Sequence, residues 1–173
     1  MEFRRLLRDR HSVRSFRSDD VEQEKVLRIL QDAIRSPSAG NLQSWEFILV
    51  RDEGVKKRLA EAALDQDFIA EAPVVLVVCA DAERSGWRYG ERGRSFYCLI
   101  DTSMASMIIL LSAVEEGLGA CFVAAFDDRE VSEILSLPKK IRPIGIIPLG
   151  YSGEAPDITS RMPLDRVLHI ERW

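Results

Sequence analysis

Pro73-Val74-Val75-Leu76-Val77-Val78-Cys79-Ala80 is the stretch on which the fold turns. Four of its eight residues are valine, and no polar residue interrupts it. Eight residues is strand length, and β-branched side chains suit a pleated surface. A strand with one wet face alternates apolar and polar residues; an unbroken apolar run is what a strand covered on both faces needs. The stretch therefore predicts a buried strand with helices on either side. Upstream, 52–63 reads as a helix and Trp45–Val50 as a strand. Before them, 18–20 supplies an N-cap and early acids for a helix running to about Arg35, with Val26, Leu27, Leu30 and Ile34 at helical spacing. Ser36-Pro37 ends it, because a residue before proline avoids the α region. A short amphipathic helix at 2–9 carries Phe3, Leu6 and Leu7 on one face. Downstream, 81–95 is polar and contains glycine; at that length it is a candidate functional loop or lid. Then come an apolar helix over 96–116 closed by Gly117, a short strand at 120–124, a helix at 127–135 capped by Asp127 or Asp128, and a strand at 141–149. The tail, 151–173, is mostly irregular and ends in an apolar-basic segment, 164–173. Helices and strands interleave throughout, which predicts an α/β or α+β sandwich in one domain over 1–173.

Composition narrows the function. The 173 residues are 46% hydrophobic and 30% charged, which is too apolar for a disordered chain and enough to build a core without disulfide or metal staples. With 24 basic and 28 acidic residues the net charge is −4. A nucleic-acid binder would be expected to carry a basic field, so no nucleic-acid partner is expected, although a local basic patch is allowed. Cys79, Cys98 and Cys121 are odd in number, form no C-x-x-C pair and lie in apolar runs. They read as small buried hydrophobes, not as a disulfide framework or a zinc site. The opening MEFRRLLRDR is charged and lacks the apolar core of a leader, and the apolar stretches 73–80 and 104–114 fall short of a membrane span. A cytoplasmic protein without a membrane partner is the expectation.

Two segments carry candidate chemistry. In Arg10-His11-Ser12-Val13-Arg14-Ser15-Phe16, an extended backbone projects residues 10, 12 and 14 to one side. Two guanidinium forks and a hydroxyl then face one point, a donor set suited to a phosphate monoester. Taken alone, the segment is equally a solvated basic N-terminus, with Arg4, Arg5, Arg8 and Arg17 around it. The second segment, Ser36-Pro37-Ser38-Ala39-Gly40-Asn41-Leu42-Gln43-Ser44-Trp45, packs amides and hydroxyls into a tight turn before a strand. Asn and Gln offer donor and acceptor together, as the edge of a flavin pyrimidine or a nucleobase requires; ordinary turn chemistry uses the same residues. Two weaker features lie in the tail. Gly150 at a strand end permits close backbone approach to a ligand, and Arg161 is a further candidate anion partner.

Other chemistries find little support. Gly117-Leu118-Gly119 follows a helix and lacks the third glycine, the opposite of a dinucleotide fingerprint. His11 and His169 have no Cys or carboxylate partners at ligand spacing, so no metal is expected. There is no G-x-S-x-G elbow and no P-loop. Asp19-Asp20, Glu115-Glu116 and Asp127-Asp128 read as helix caps and solvated faces, so no protein acid–base pair is expected.

Taken in order, R-H-S-V-R-S-F at 10–16, S-P-S-A-G-N-L-Q-S-W at 36–45, A-P-V-V at 72–75, G-L-G-A at 117–120, V-A-A-F-D at 123–127, P-L-G-Y at 148–151 and R-x-P-L at 161–164 resemble the nitroreductase family of flavin enzymes over nearly the whole chain. The resemblance implies an α+β sandwich around a mainly antiparallel sheet, FMN as cofactor and an intertwined homodimer with two sites at its interface. Arg10, Ser12 and Arg14, with His11 beside them and Arg161 from the tail, would hold the FMN phosphate and ribityl chain. Pro37, Ser38 and Asn41, with Gln43 in the same turn, would reach the flavin of the other subunit. The backbone of Ala124 and Ala125 would approach the flavin N5 region, and 151–173 would pack on the partner. The implied reaction is ping-pong: hydride passes from NADH or NADPH, a transient reductant, to FMN N5, and then on to a nitroaromatic, quinone or flavin. A dehalogenase or flavin-modifying relative, or a non-catalytic flavin carrier or sensor, is the alternative. Trp87, Arg88, Tyr89, Arg92 and Arg94 in 81–95 would stack on or pair with the acceptor. Three departures stand out: Ala124-Ala125 replaces a pair that often contains glycine or an acid, so hydrogen bonding at N5 would rest on backbone N–H groups, and two more concern single positions. Ser44 replaces the usual proline before tryptophan, and the segment before A-P-V-V lacks the lysine that some members place at the flavin N1–O2 edge, leaving Gln66 as a neutral donor there.

Overall fold

The computed structural model describes residues 2–155 and 159–173. Its centre is β2, Val74–Asp81, all eight residues of which are buried. On one side β2 pairs antiparallel with β1, Trp45–Val50, and on the other with β4, Ile141–Gly150. The short β3, Gly119–Ala120, adds to the far edge of β4, giving the order β1-β2-β4-β3 with every pairing antiparallel. Between Val78 and Cys79 the register slips past Ile144, so that Val78 faces Gly145 and Cys79 faces Pro143. Gly145 is required there, because a Cβ would lie 2.2 Å from the Phe122 ring.

Alternate residues of β2 feed two cores. Val75, Val77 and Cys79 pack with Ile146 beneath α3 (Glu53–Ala62), α4 (Phe68–Glu71) and α7 (Asp128–Ile134). Val74, Leu76 and Val78 pack with Ile147 and Leu149 beneath α2 (Gln23–Ala33) and α6 (Cys98–Glu115). The result is an α+β sandwich of three layers in which the unbroken apolar run is buried from both sides, as expected. Each fully buried aliphatic side chain contributes about 1.5–3 kcal/mol. The helix α1, Phe3–Asp9, lies outside this core and buries none of its residues.

Three expectations are corrected. The second helix starts at Gln23, not at 18–20: the Asp20 carboxylate instead accepts from the Val21 N–H at 2.8 Å and from Arg51 at 2.7 Å. The strand expected at 120–124 shrinks to β3 and a single bridge from Val123 to Ile146, so Ala124 and Ala125 leave the sheet exposed.

The third correction is the largest. The segment 81–95 is no loop. Asp81 accepts from the Arg84 N–H at 3.0 Å and caps α5, Ala82–Arg92. At Gly90 the backbone takes φ 57 and ψ −139, a region open essentially to glycine alone, and the chain doubles back. Gly93 then lies so close to the first arm that a Cβ would sit 2.4 Å from the Ser85 carbonyl oxygen. A π turn, Gly93–Tyr97, leads into α6. Composition suggests a loop here because only Ser85 and Gly86 of this amphipathic helix are buried, so no apolar stripe marks the period. The 34 residues 82–115 contain a window of mean hydropathy 1.7, long and apolar enough to cross a membrane by composition. The break at Gly90, and the packing of Ile109 and Ala113 against the sheet with Asp101, Thr102, Ala105, Ser106 and Ser112 also buried, are those of a core helix.

Candidate functional site

The segment 10–14 is held extended at the sheet edge. Ser12 bridges Ala120, and the Val13 N–H donates to the Ala120 carbonyl at 3.1 Å. Val13 is buried 1% exposed against Gly119, where a Cβ would come within 2.6 Å of its Cγ2. Anchoring Val13 inward turns Arg10, Ser12 and Arg14 outward by simple alternation. They line a cavity of about 660 Å³ together with Arg8, His11, Glu154 and Arg161. The expected clamp and the tail arginine thus meet in one place.

Its electrostatics favour an anion. Among the described residues, Arg10 and Arg14 enter no ion pair. Arg161 is oriented through Nη1, which donates to the Thr159 carbonyl at 3.0 Å and hydroxyl at 2.6 Å. His11 Nδ1 meets the Asp9 carbonyl at 2.8 Å, leaving Nε2 buried with no partner among the described residues. An orphaned buried nitrogen costs stability unless something from outside the chain meets it. One acid enters the same cavity: Glu154 Oε1 accepts from the Arg14 N–H at 2.7 Å. Beneath lies Cys121, whose thiol is pushed up by burial while Arg14 and Ser12 pull the other way; it is a neutral hydrophobe and not a nucleophile. Burial likewise pushes Cys79 up to about 12. The donor set fits a phosphate monoester carried on a hydroxylated chain.

The 36–45 turn does not line that cavity. Its candidate residues Pro37, Asn41 and Gln43 are exposed and Ser38 is half-buried. The Ser38 hydroxyl accepts from the Gln43 N–H at 3.0 Å, which ties the turn across its mouth. Helix α5 braces it from above. Arg84 donates to the Gln43 carbonyl at 2.6 Å, and the Tyr89 hydroxyl fills the space over Gly40. The expected acceptor-facing side chains of 81–95 are therefore mostly committed elsewhere. Tyr89 packs edge-on to Tyr97, Arg92 lies over Phe96 and Tyr97, and Arg94 forks onto Glu83. Trp87 alone stands far out, 82% exposed.

A third cluster joins two expected residues and revises one. Gln66 Nε2 donates to the Ala63 carbonyl at 2.7 Å and to the Ala125 carbonyl at 3.3 Å. Both amide hydrogens are used, so Gln66 is not the neutral donor anticipated for a ligand edge; it holds the 124–125 segment in place. The N–H groups of Ala124 and Ala125 have no protein acceptor among the described residues, and both residues are exposed. Gly150 is also revised. It is buried, and a Cβ there would strike Pro73 at 2.6 Å and Phe16 at 3.1 Å, so the glycine serves packing and does not line the cavity.

Sequence reasoning missed four residues: Ser44 and Asp101 inside the turn's support, Arg84 above it and Glu154 in the cavity. Asp101 left a signal, as the one charged residue of an otherwise apolar helix, α6, before its C-terminal Glu115. Ser44 left one as well, as the serine standing where proline is usual before tryptophan; Arg84 and Glu154 are polar residues in polar surroundings and left none.

A family model described as the nitroreductase family matches residues 7–66 and 62–151. A protein of Thermus thermophilus named NADH dehydrogenase is 34% identical over 92% of this chain and 91% of its own length. The FMN reductase [NAD(P)H] of Bacillus subtilis is 29% identical over 96% of this chain and 72% of its own. Among solved structures, a nitroreductase family protein from Streptococcus pneumoniae TIGR4 superposes with a TM-score of 0.90 at 25% identity, covering 98% of this chain and 100% of that one. With the antiparallel three-layer sandwich and the arginine-lined cavity at its edge, these likenesses lead to one conclusion: the chain belongs to the nitroreductase family.

Proposed function

We propose that the protein is an FMN-dependent oxidoreductase that takes hydride from NADH or NADPH and passes it to a small organic acceptor such as a nitroaromatic, a quinone or a free flavin. The observation that carries this reading is the convergence of Arg10, Ser12, Arg14 and Arg161 on one cavity beside the orphaned His11 Nε2. FMN, when bound, supplies the redox chemistry, and the protein supplies binding, orientation and electrostatics. The arginines hold the phosphate, and His11 Nε2 meets a ribityl hydroxyl. The N–H groups of the exposed Ala124 and Ala125, in the segment fixed through Gln66, offer the hydrogen bonds at the flavin N5 region. Protons come from water.

The working unit in this reading is a homodimer. In one chain the anion cavity and the 36–45 turn are separate, so a partner's turn completes the site. Apolar side chains left uncovered in the single chain mark the contact surface: Ile100 and Met107 on α6, and Met162, Leu164, Ile170 and Trp173 on the tail. The described tail residues, 159–173, pack on the partner in this reading. The cytoplasm suits its three unpaired, buried cysteines.

Anaerobic reduction tests the proposal. The purified protein is expected to be yellow, to release FMN on denaturation and to bleach with NADH or NADPH, and a panel of nitroaromatics, quinones and free flavins then reports the acceptor. Colourless protein that takes up no added FMN refutes the flavin reading. Yellow protein that neither nicotinamide bleaches makes it a passive flavin binder.

A further inference from the structure

Asp101 is 1% exposed in the first turn of α6. Burying an ion is unfavourable unless it is paired or fully hydrogen-bonded. Asp101 makes no ion pair among the described residues; its two oxygens instead each take a donor from one end of the 38–44 turn. Oδ1 accepts from the Ala39 N–H at 2.9 Å, and Oδ2 accepts from the Ser44 hydroxyl at 2.8 Å. Between these two anchor points the backbone is left-handed at Gly40 (φ 57), Asn41 (φ 56) and Gln43 (φ 52). Non-glycine residues in that region are unfavourable and persist only where the surroundings over-determine them. Within the turn, the bond from the Gln43 N–H to the Ser38 hydroxyl and a weak 3.3 Å contact from Gln43 Nε2 to the Asn41 carbonyl do not anchor it to the core. The buried carboxylate does, at both ends of the turn, and Arg84 adds one more hold from outside at the Gln43 carbonyl. Ser44 stands where the family pattern has proline, and it supplies the hydroxyl on which one arm of this bridge depends.

We infer that Asp101 is a positioning residue: acting through Ser44 and the Ala39 amide, it locks the 38–44 turn in the one geometry in which Ser38, Asn41 and Gln43 present their polar groups to a flavin held by the partner chain. This rests on the flavin reading above. Asp101 touches no ligand itself and acts only on the turn.

The test uses the full-length chain and the variants Ser44→Ala, Asp101→Asn and Asp101→Ala. Two measurements are made on each: hydrogen exchange of amides 39–43 without flavin, and FMN affinity with the visible circular dichroism of the bound flavin. Ser44→Ala is expected to speed exchange in 39–43 and raise the FMN Kd roughly three- to tenfold, and Asp101→Ala to raise it roughly tenfold or more, as loss of one or both bonds to a buried carboxylate implies. Asp101→Asn keeps an acceptor for Ala39 and falls between them. The affinity for inorganic phosphate is expected to stay at the wild-type value, because the arginine cavity is elsewhere. Unchanged exchange in 39–43, an FMN affinity and dichroism equal to wild type despite a lowered melting temperature, or a parallel fall in phosphate affinity would each overturn the inference. If Asp101→Ala does not fold, the two milder variants decide. A wild-type chain that takes up no FMN overturns the flavin reading, while the exchange measurement still decides whether Asp101 holds the turn.

Discussion

Replacing Arg14 with alanine separates an anion clamp from a merely basic surface. Arg14 is exposed, its side chain enters no ion pair among the described residues, and its one fixed contact, the 2.7 Å bond from its N–H to Glu154, belongs to the backbone and survives the change. Truncation therefore leaves no buried partner unsatisfied, and fold stability is expected to change by less than about 0.5 kcal/mol. In the liganded state the guanidinium gives a charge-assisted bond to a phosphate oxygen, and losing such a bond costs roughly 1.5–3 kcal/mol. At about 1.4 kcal/mol per factor of ten, the FMN Kd rises roughly ten- to 150-fold. The penalty is expected to shrink in high salt as the field of the remaining arginines is screened. Arg14→Lys keeps the charge but loses the planar fork, so it restores only part of the affinity. Fluorescence titration of FMN, with inorganic phosphate as competitor, reads the effect directly. A Kd for Arg14→Ala equal to wild type at low salt, in a protein with an unchanged melting temperature, would refute the clamp.

Other perturbations probe the rest of the design. Glu154→Gln removes the one carboxylate from the arginine cavity and is expected to tighten FMN binding roughly two- to fivefold by lifting repulsion near the phosphate; weaker binding in the same titration would mean that Glu154 orients the arginines instead. Gly90→Ala meets no atom within 4 Å, so its cost is backbone strain alone, roughly 1–3 kcal/mol, read as a lower melting temperature. Burial pushes the Asp81 carboxyl up, but the Arg84 N–H and the Lys140 ammonium outweigh it and hold it below the ordinary carboxylate range. A lowered folded-state pKa contributes stability that is full above the unfolded value of about 3.9 and is lost as pH falls below it. The melting-temperature gap between wild type and Asp81→Asn should therefore narrow as pH drops from about 6 to about 3, and a constant gap would show that ionisation is irrelevant there. Deleting 162–173 removes exposed Met162, Leu164, Ile170 and Trp173, and sedimentation is expected to shift from twice 19.6 kDa toward a single chain.

Much of this protein was legible in its residues because the signals were local. An eight-residue apolar run implies a strand buried on both faces whatever surrounds it, and β2 is that strand. The spacing of Arg10, Ser12 and Arg14 on an extended backbone places three donors on one side, and the cavity contains all three. The ordered motifs marked the family and its turn at 36–45. What the residues left open depends on contacts distant in the chain. Helix α5 hides as a polar loop because its buried face is Ser85 and Gly86, and only the return of the chain at Gly90, bringing Gly93 onto Ser85, shows that face to be covered. Gly150 reads as a ligand approach, but what fills the space beside it, Pro73 and Phe16, comes from segments far away in the chain. Gln66 reads as a free donor until Ala63, three residues before it, takes one of its amide hydrogens and the distant Ala125 the other. The Asp101 bridge to Ala39 and Ser44 spans 62 and 57 residues of sequence, and no period or motif encodes it. Side-chain spacing by itself determined which groups share a face; tertiary packing alone decided which of them remain free to meet a ligand, because a polar atom's partner is set by what the fold brings within 3 Å of it.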